Sequence, residues 1–313
     1  MKNTGKKIKV FAPATVANLA CGFDIMGLAV NEPGDEVTMQ LNDSGKLTIR
    51  KISGDGGRLS LDPRKNTVTV STLNMLKHLG KTVGAEISLH KKMPLGSGLG
   101  SSAASSVAGV FAMNELLGRP FSRKELVPFA MEGERIACGS AHADNVAPCM
   151  MGGIVLVRSY NPLEIISLPV PKSLYIVVVH PHVEVLTRDS RAVLPKKIDL
   201  KTGIKQWANT AALVAGLFSL DYALIGRSVQ DYIAEPARAK LLPYFLELKE
   251  VVMNNGALAC SISGSGPSVF AFCDNEKTAK SIASRMKKFY SEKKIVSESF
   301  VSLVNTKGVQ VKA

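Results

Sequence analysis

The eleven residues Pro94 to Ala104, PLGSGLGSSAA, stand between a strand-like run, AEISLH at Ala85 to His90, and a run with apolar residues at helical spacing, SSAASSVAGVFAMNELL at Ser101 to Leu117. Gly96, Gly98 and Gly100 allow the backbone conformations that side chains block and let a ligand approach the main chain. The helix that follows offers unpaired N–H groups and the positive end of its dipole, which together attract an anion such as a nucleotide polyphosphate. Two other phosphate loops do not fit. A P-loop needs Lys and a hydroxyl residue after its last glycine, but Gly100 is followed by Ser101 and Ser102. A dinucleotide fingerprint needs glycine where Ser101 stands and opens a chain near its first strand. The plain alternative, a glycine-rich connector with Ser101 as an ordinary cap, is outweighed by the whole string with its double serine.

At 313 residues the chain can bury a large core, and its length predicts two domains or one large one. A hydrophobic share of 46% with 6% aromatics suits an α/β or α+β enzyme, and no apolar run is long enough to cross a bilayer. The N-terminus, MKNTGKKIKVF, leads into a short strand-like run and not into a signal-peptide core. Cys21, Cys138, Cys149, Cys260 and Cys273 are widely spaced in apolar contexts without a CxxC pair, so they read as small core residues of a cytoplasmic protein. The net charge of +13 is dispersed, with local density at Lys2 to Lys9 and Lys277 to Lys294. Its Lys277 to Lys294 part is interrupted by Glu276 and Glu292 and reads as the solvated face of a terminal helix, and aromatics that could stack bases are not interleaved with the charge, which argues against nucleic acid as a partner.

Strands are expected at Lys7 to Phe11, Glu36 to Leu41, Lys46 to Ile52 and Ala85 to His90, followed by helices at Ser101 to Leu117 and Ser122 to Ala137. Ser122 and Glu125 form a capping-box pattern, and Pro128 predicts a bend or a delayed start. Strands return at Ile154 to Arg158, Glu164 to Leu168 and Leu174 to His180. Helices then follow around Arg191, at Lys205 to Leu220, Ala223 to Tyr232 and Lys240 to Val252. Ala257 to Ser263 and Ser268 to Cys273 bracket a second glycine turn before a last helix and the strand Ser297 to Leu303. This order suggests an α+β chain whose second half is a split β-α-β sandwich, with the boundary near residue 160: 1–160 and 161–313.

Glu134 lies seven residues after Val127 and four after Ala130, on their apolar face. A carboxylate on a buried face needs a partner, either an arginine or a magnesium ion on nucleotide phosphates. Gly139 to Pro148, GSAHADNVAP, reads as a loop dense in His142, Asp144 and Asn145 where a helix has ended. Asn18, Asp24, Thr187, Arg191 and Arg238 are isolated polar residues beside apolar stretches, where turn and ion-pairing roles compete with functional ones.

PLGSGLGSSAA resembles the central phosphate-loop motif of the GHMP small-molecule kinases, and SISGSGPSVFAF, Ser261 to Phe272, resembles their C-terminal glycine motif. Within that superfamily the remaining motifs are similar to those of homoserine kinases: APATVANLACGFDIMGLAV, GSAHADNVAPCMMGG, TRDSRAVLP and IAEPARAKLLP. The likeness runs from Val10 to about Cys273. It implies a two-domain α+β fold, the N-terminal domain α/β with a left-handed-crossover-type sheet and the C-terminal domain a ferredoxin-like sandwich.

It also implies a kinase that uses ATP and Mg2+ to phosphorylate the hydroxyl of homoserine. Pro94, Leu95, Gly96, Ser97, Gly98, Leu99, Gly100, Ser101, Ser102, Ala103 and Ala104 would hold the triphosphate, with Asn66 a candidate adenine contact. Ser102, or Ser101 beside it, and Glu134 would meet the metal. Asn18, Asp24, His142, Asn145, Thr187, Arg191, Arg238, Gly264 and Gly266 would surround the amino acid, with Asn145, Arg191 and Glu134 carrying catalysis. The chemistry agrees with that set, since an ammonium wants a carboxylate such as Asp24 and a carboxylate wants guanidinium groups such as Arg191 and Arg238. No Lys and Asp pair of the kind some relatives use as a base can be placed. The rivals are a kinase of the same superfamily with a mevalonate- or sugar-type acceptor, and a nucleotide-sensing or nucleic-acid-binding protein without turnover. An apolar-rich second domain makes a homodimer the expected assembly.

Overall fold

The structure, a computed structural model, describes residues 5–139 and 142–312, apart from the side chains of residues 137 and 138. The expected burial of Cys138 and the lysines before residue 5 lie outside the described residues.

Strand β4 (Gly84–His90) shows how the sequence pattern becomes a sheet. Ala85, Ile87 and Leu89 point into the core while Glu86 faces out, the period of two that a half-buried strand requires. It pairs antiparallel with the long β2 (Met26–Asn42) and parallel with β3 (Leu47–Ser53). Among the described residues the first sheet holds seven strands. β1 (Lys7–Ala17) joins β2, β5 (Ile154–Tyr160) joins both β2 and β6 (Leu163–Leu168), and the short β11 (Gln310–Lys312) closes onto β1. Residues on both sides of the boundary expected near 160 thus belong to this one sheet.

Against this sheet the described residues form the helices α1 (Thr67–His78), α2 (Ser101–Leu116), α3 (Arg123–Cys138) and α4 (Ala143–Met151). α2 is buried along almost its whole length, which explains its small residues: Gly109 sits 2.3 Å, at a notional Cβ, from the Val68 carbonyl of α1. Side chains any larger would force the helices apart. The capping box at Ser122 and Glu125 is present at the start of α3, and Pro128 lies inside that helix without delaying its start. Within GSAHADNVAP, expected as a loop, the residues from Ala143 to Pro148 are helical. His142 caps α4, so Asp144 and Asn145 stand in the first helical turn.

The second sheet follows the order β10 (Ser297–Leu303), β7 (Tyr175–Pro181), β9 (Val269–Cys273), β8 (Ala259–Ile262), with every pairing antiparallel. With α9 (Phe245–Met253) and α10 (Glu276–Glu292) it encloses a core of its own around Phe245, Leu248, Met286 and Tyr290. This is the ferredoxin-like sandwich. Between β7 and β8 run α5 (Thr187–Ala192), α6 (Leu200–Ser219), α7 (Tyr222–Ser228) and α8 (Ala234–Arg238).

Candidate active site

A cleft of about 720 Å³ opens where the start of α2, the first turn of α4, the loop after β1 and the second glycine turn meet α5 and α8. Its phosphate-loop wall is shaped by glycine. Gly96, Gly98 and Gly100 have φ of 68°, 76° and 69°. Gly100 caps α2 without a side-chain bond, so the N–H groups of the first turn are left for a ligand.

Two of these glycines also permit close approach. A Cβ on Gly98 would lie 2.4 Å from the Ser263 carbonyl oxygen, and one on Gly100 would lie 2.1 Å from Thr15 Oγ1. The two glycine motifs are therefore in backbone contact, and Ser263 Oγ donates to the Gly98 carbonyl at 2.7 Å. Leu95, Gly96, Ser97, Gly98, Gly100, Ser101 and Ser102 line the cleft. Pro94, Leu99, Ala103 and Ala104 do not, and the last three are fully buried in the core, where they set the loop's shape. The hydroxyls of Ser97 and Ser101 are buried and find no hydrogen-bond partner among the described residues.

Beneath the loop lies a lysine that sequence reasoning missed. Lys91 is buried against the carboxylate of Asp35, and its Nζ donates to the Ser101 carbonyl at 2.7 Å and to Ser105 Oγ at 2.9 Å. Asp35 also accepts from the backbone N–H groups of Lys92 and Met93, at 2.9 and 3.2 Å. Lysines are rarely buried, so periodicity gave no reason to look there. The ion pair ties the start of α2 to the first sheet.

At the opposite end of the cleft Arg191 grips Asp24 with both nitrogens of its fork, at 2.9 and 3.1 Å. Asn18 supports this loop from both sides: its Oδ1 accepts from the Asp24 N–H and its Nδ2 donates to the Gly264 carbonyl, each at 3.0 Å. The loop is strained, with Asn18, Leu19, Ala20 and Asp24 at φ of 72°, 44°, 60° and 59°. Arg238 donates to the carbonyls of Gly264 and Ser190 and stacks over Phe23, 5.1 Å from the ring centre. Thr187 Oγ1 is 3.4 Å from Ser265 Oγ. Gly264 lines the cleft, whereas Gly266 packs against Leu242 and Ile262 beside it.

The first turn of α4 completes the site. Thr15 Oγ1 donates to Asn145 Oδ1 at 2.7 Å and so orients the amide beside Gly100. His142 Nδ1 lies 3.8 Å from the Asp24 carboxylate, and burial holds its ring below the usual histidine range despite that neighbour. Asp144, a residue the sequence noted without assigning it a role, is almost wholly buried and lines the cleft. Desolvation first, then the charges of Asp24 and Glu134, push its carboxyl up to about 7. Glu134 lines the cleft as a buried carboxylate. Asn66 lines the cleft, with its side chain capping α1, accepting from the Val68 N–H at 3.2 Å and donating to the Ser60 carbonyl at 2.9 Å. No group of three or more His, Cys, Asp or Glu side chains able to hold a metal stands together among the described residues.

Comparison with known proteins agrees with this geometry. The chain matches the GHMP kinase N-terminal domain over residues 66–153 and the GHMP kinase C-terminal domain over residues 213–292. It is 51% identical to a homoserine kinase of Chlorobium phaeovibrioides, over 98% of this chain and 99% of that protein. The crystal structure of homoserine kinase from Cytophaga hutchinsonii superposes with a TM-score of 0.96 at 57% identity, covering 98% of this chain and 97% of the other. L. major mevalonate kinase in complex with R-mevalonate shares the fold, with a TM-score of 0.73 at 16% identity over 96% and 97% of the two chains. A phosphate loop facing an amino-acid-sized cluster of opposite charges, in a chain this similar from end to end, leaves one assignment: it belongs to the homoserine kinase family of the GHMP kinases.

Proposed function

We propose that this chain transfers the γ-phosphoryl group of ATP to the side-chain hydroxyl of L-homoserine, giving O-phospho-L-homoserine and ADP, a step of threonine biosynthesis. The observation that carries the reading is the shared cleft: the open start of α2 and the cluster of Asp24, Arg191, Arg238 and Asn145 line one cavity. Only the fold is shared with mevalonate kinase, and an acceptor without an ammonium has no use for Asp24.

Positioning and charge neutralisation do the work in such a reaction. The N–H groups of Ser101 to Ala103 and the dipole of α2 receive the phosphates. The amino acid enters between Asp24 and Arg191, its ammonium taking the carboxylate and its carboxylate taking the guanidinium, so each charge exchanges one partner for another. Arg238, held by two carbonyls and Phe23, adds fixed positive charge beside it. Asn145, oriented by Thr15, hydrogen-bonds the acceptor hydroxyl. Being neutral, it cannot take the proton, which passes to the phosphate oxygens or to solvent.

The residues present fit Mg2+. The Ser101 hydroxyl is buried without a partner among the described residues, Ser102 lines the cleft beside it, and Glu134 brings a carboxylate, a set of hard oxygen donors. These residues are fewer than a dedicated cage would bring, so they would hold an ion supplied with the nucleotide, and when bound it would neutralise phosphate charge.

The wider reading is a cytoplasmic homodimer with its domains divided after β6, at residues 169–174, and no nucleic acid partner. Four buried free thiols support a reducing compartment, and no helix among the described residues is long and apolar enough to cross a membrane. ATP turnover with Mg2+ and a panel of homoserine, threonine, serine, mevalonate and galactose tests the function. Homoserine-dependent ADP release is expected, and turnover with mevalonate or galactose instead would overturn the acceptor assignment.

A further inference from the structure

The hydroxyl of Tyr160, the last residue of β5, joins two walls of the cleft. It donates to the Asp24 carbonyl at 2.8 Å and accepts from the Ala143 N–H at 3.2 Å. A phenol has one proton to give and lone pairs to receive with, so both bonds form at once. The ring stands edge-on to that of His142, with centres 6.4 Å apart.

Each bond fills a gap that local structure leaves. Ala143 opens α4, and His142, in the cap position, makes no side-chain bond to the free N–H groups of that turn. Tyr160 supplies one from another element. On the other wall Asp24 is held at a φ of 59°, a backbone conformation that persists only where its surroundings fix it. Asn18 accepts from its N–H, Arg191 donates to its carboxylate and Tyr160 donates to its carbonyl. β5 is anchored beside the same loop, since the Val157 N–H donates to the Ile25 carbonyl at 2.7 Å. Burial first, then the charge of Asp144, push the Tyr160 phenol well above the usual tyrosine range, so it stays protonated and keeps donating.

We infer that Tyr160 is a positioning residue that sets the reach from Asp24, which takes the ammonium of the acceptor, to Asn145, which takes its hydroxyl. The inference deepens the kinase reading above and rests on it. Asn145 follows Ala143 by two residues in the first turn of α4, so any shift of Ala143 carries the amide with it. Both Asp24 and Asn145 line the cleft, and the Tyr160 bridge ties their backbones together. A fixed reach selects by length. Homoserine places its hydroxyl one carbon farther from the ammonium than serine does, and a misplacement of about 1 Å at the reacting atoms costs about 100-fold in rate.

Tyr160→Phe keeps the ring beside His142 and removes only the bridge. In steady-state kinetics of the full chain with ATP, Mg2+ and homoserine it should lower kcat about 30-fold, while KM for ATP changes less than about threefold. The amount of phosphorylated amino acid formed per ADP released should fall, because water competes once the hydroxyl is out of line. The preference for homoserine over serine in kcat/KM should shrink about tenfold. Adding Tyr160→Phe to Asn145→Ala should cost little beyond Asn145→Ala alone, since the tyrosine acts through that amide. Unchanged acceptor preference and unchanged product per ADP in Tyr160→Phe overturn the positioning role and leave the kinase reading standing. An equal loss with both acceptors, together with a raised KM for ATP, makes Tyr160 a support of the fold alone and overturns the role as well. A parent protein with no homoserine-dependent turnover overturns the kinase reading, and this inference with it.

Discussion

Asp24 and Arg191, 167 residues apart in sequence, hold each other in a two-bond ion pair at the mouth of the acceptor end of the cleft. They are the groups expected to grip opposite ends of the amino acid. Pairing keeps the strained Asp24 loop in place, and in the proposed mode of binding the substrate replaces like with like when it enters.

Removing the fork should therefore act on the acceptor and not on the nucleotide. Arg191→Ala is expected to raise KM for homoserine about 100-fold, with KM for ATP changed less than about threefold. Arg191→Lys should recover little of the loss, because a single ammonium cannot reproduce the two-bond geometry. Steady-state kinetics in both substrates decide it; a rise confined to KM for ATP would sink the assignment of Arg191.

Gly98 separates backbone strain from collision. Gly98→Ala puts a methyl group 2.4 Å from the Ser263 carbonyl oxygen at a φ of 76°. It should cost about 2–4 kcal/mol of stability and raise KM for ATP at least about tenfold. Gly96→Ala meets nothing within 4 Å and carries only the strain of its φ of 68°, so it should cost about 1 kcal/mol. Urea titration of the two variants measures the difference, and equal losses would refute the contact between the glycine motifs.

Lys91→Met leaves the Asp35 carboxylate buried without its countercharge. The expected destabilisation is about 3–5 kcal/mol, together with weaker ATP binding because the start of α2 loses its anchor. Chemical denaturation and nucleotide titration check both. A variant as stable as the parent would show that the pair does not hold the helix.

Asp144 gives the site a pH signature. Its carboxyl is raised from 3.8 to about 7 in the folded protein, so the fold takes up a proton that the unfolded chain releases. The associated stability is fully present below about pH 4 and is lost as pH rises to about 7. Asp144→Asn should thus be more stable than the parent by about 1–3 kcal/mol at pH 8 and no more stable at pH 4. Homoserine brings an ammonium that favours the ionised form, so KM for homoserine should fall between about pH 6 and pH 8 in the parent and stay flat in the variant. Parallel pH profiles would show that Asp144 does not sense the acceptor.

Much of this protein was legible in residue order. The phosphate loop, the capping box of α3, the strand at Ser297 to Leu303 and the short helix around Arg191 are local features, set by glycine freedom, caps and periodicity within a few residues. The family motifs supplied the candidate site residues, and most of those candidates line one cleft. Tertiary structure decided what depends on distant partners. GSAHADNVAP reads as a loop, yet packing makes its part from Ala143 onward a helix that aims Asn145 at the start of α2 and buries Asp144 near other carboxylates. Lys91 looks like a surface lysine until the sheet places Asp35 beneath it, 56 residues away in sequence. β6 and β11 look like parts of the second half, but hydrogen-bond pairing assigns them to the first sheet. Charge, burial and strand pairing are properties of neighbours in space, and one-dimensional order determines them only through the fold.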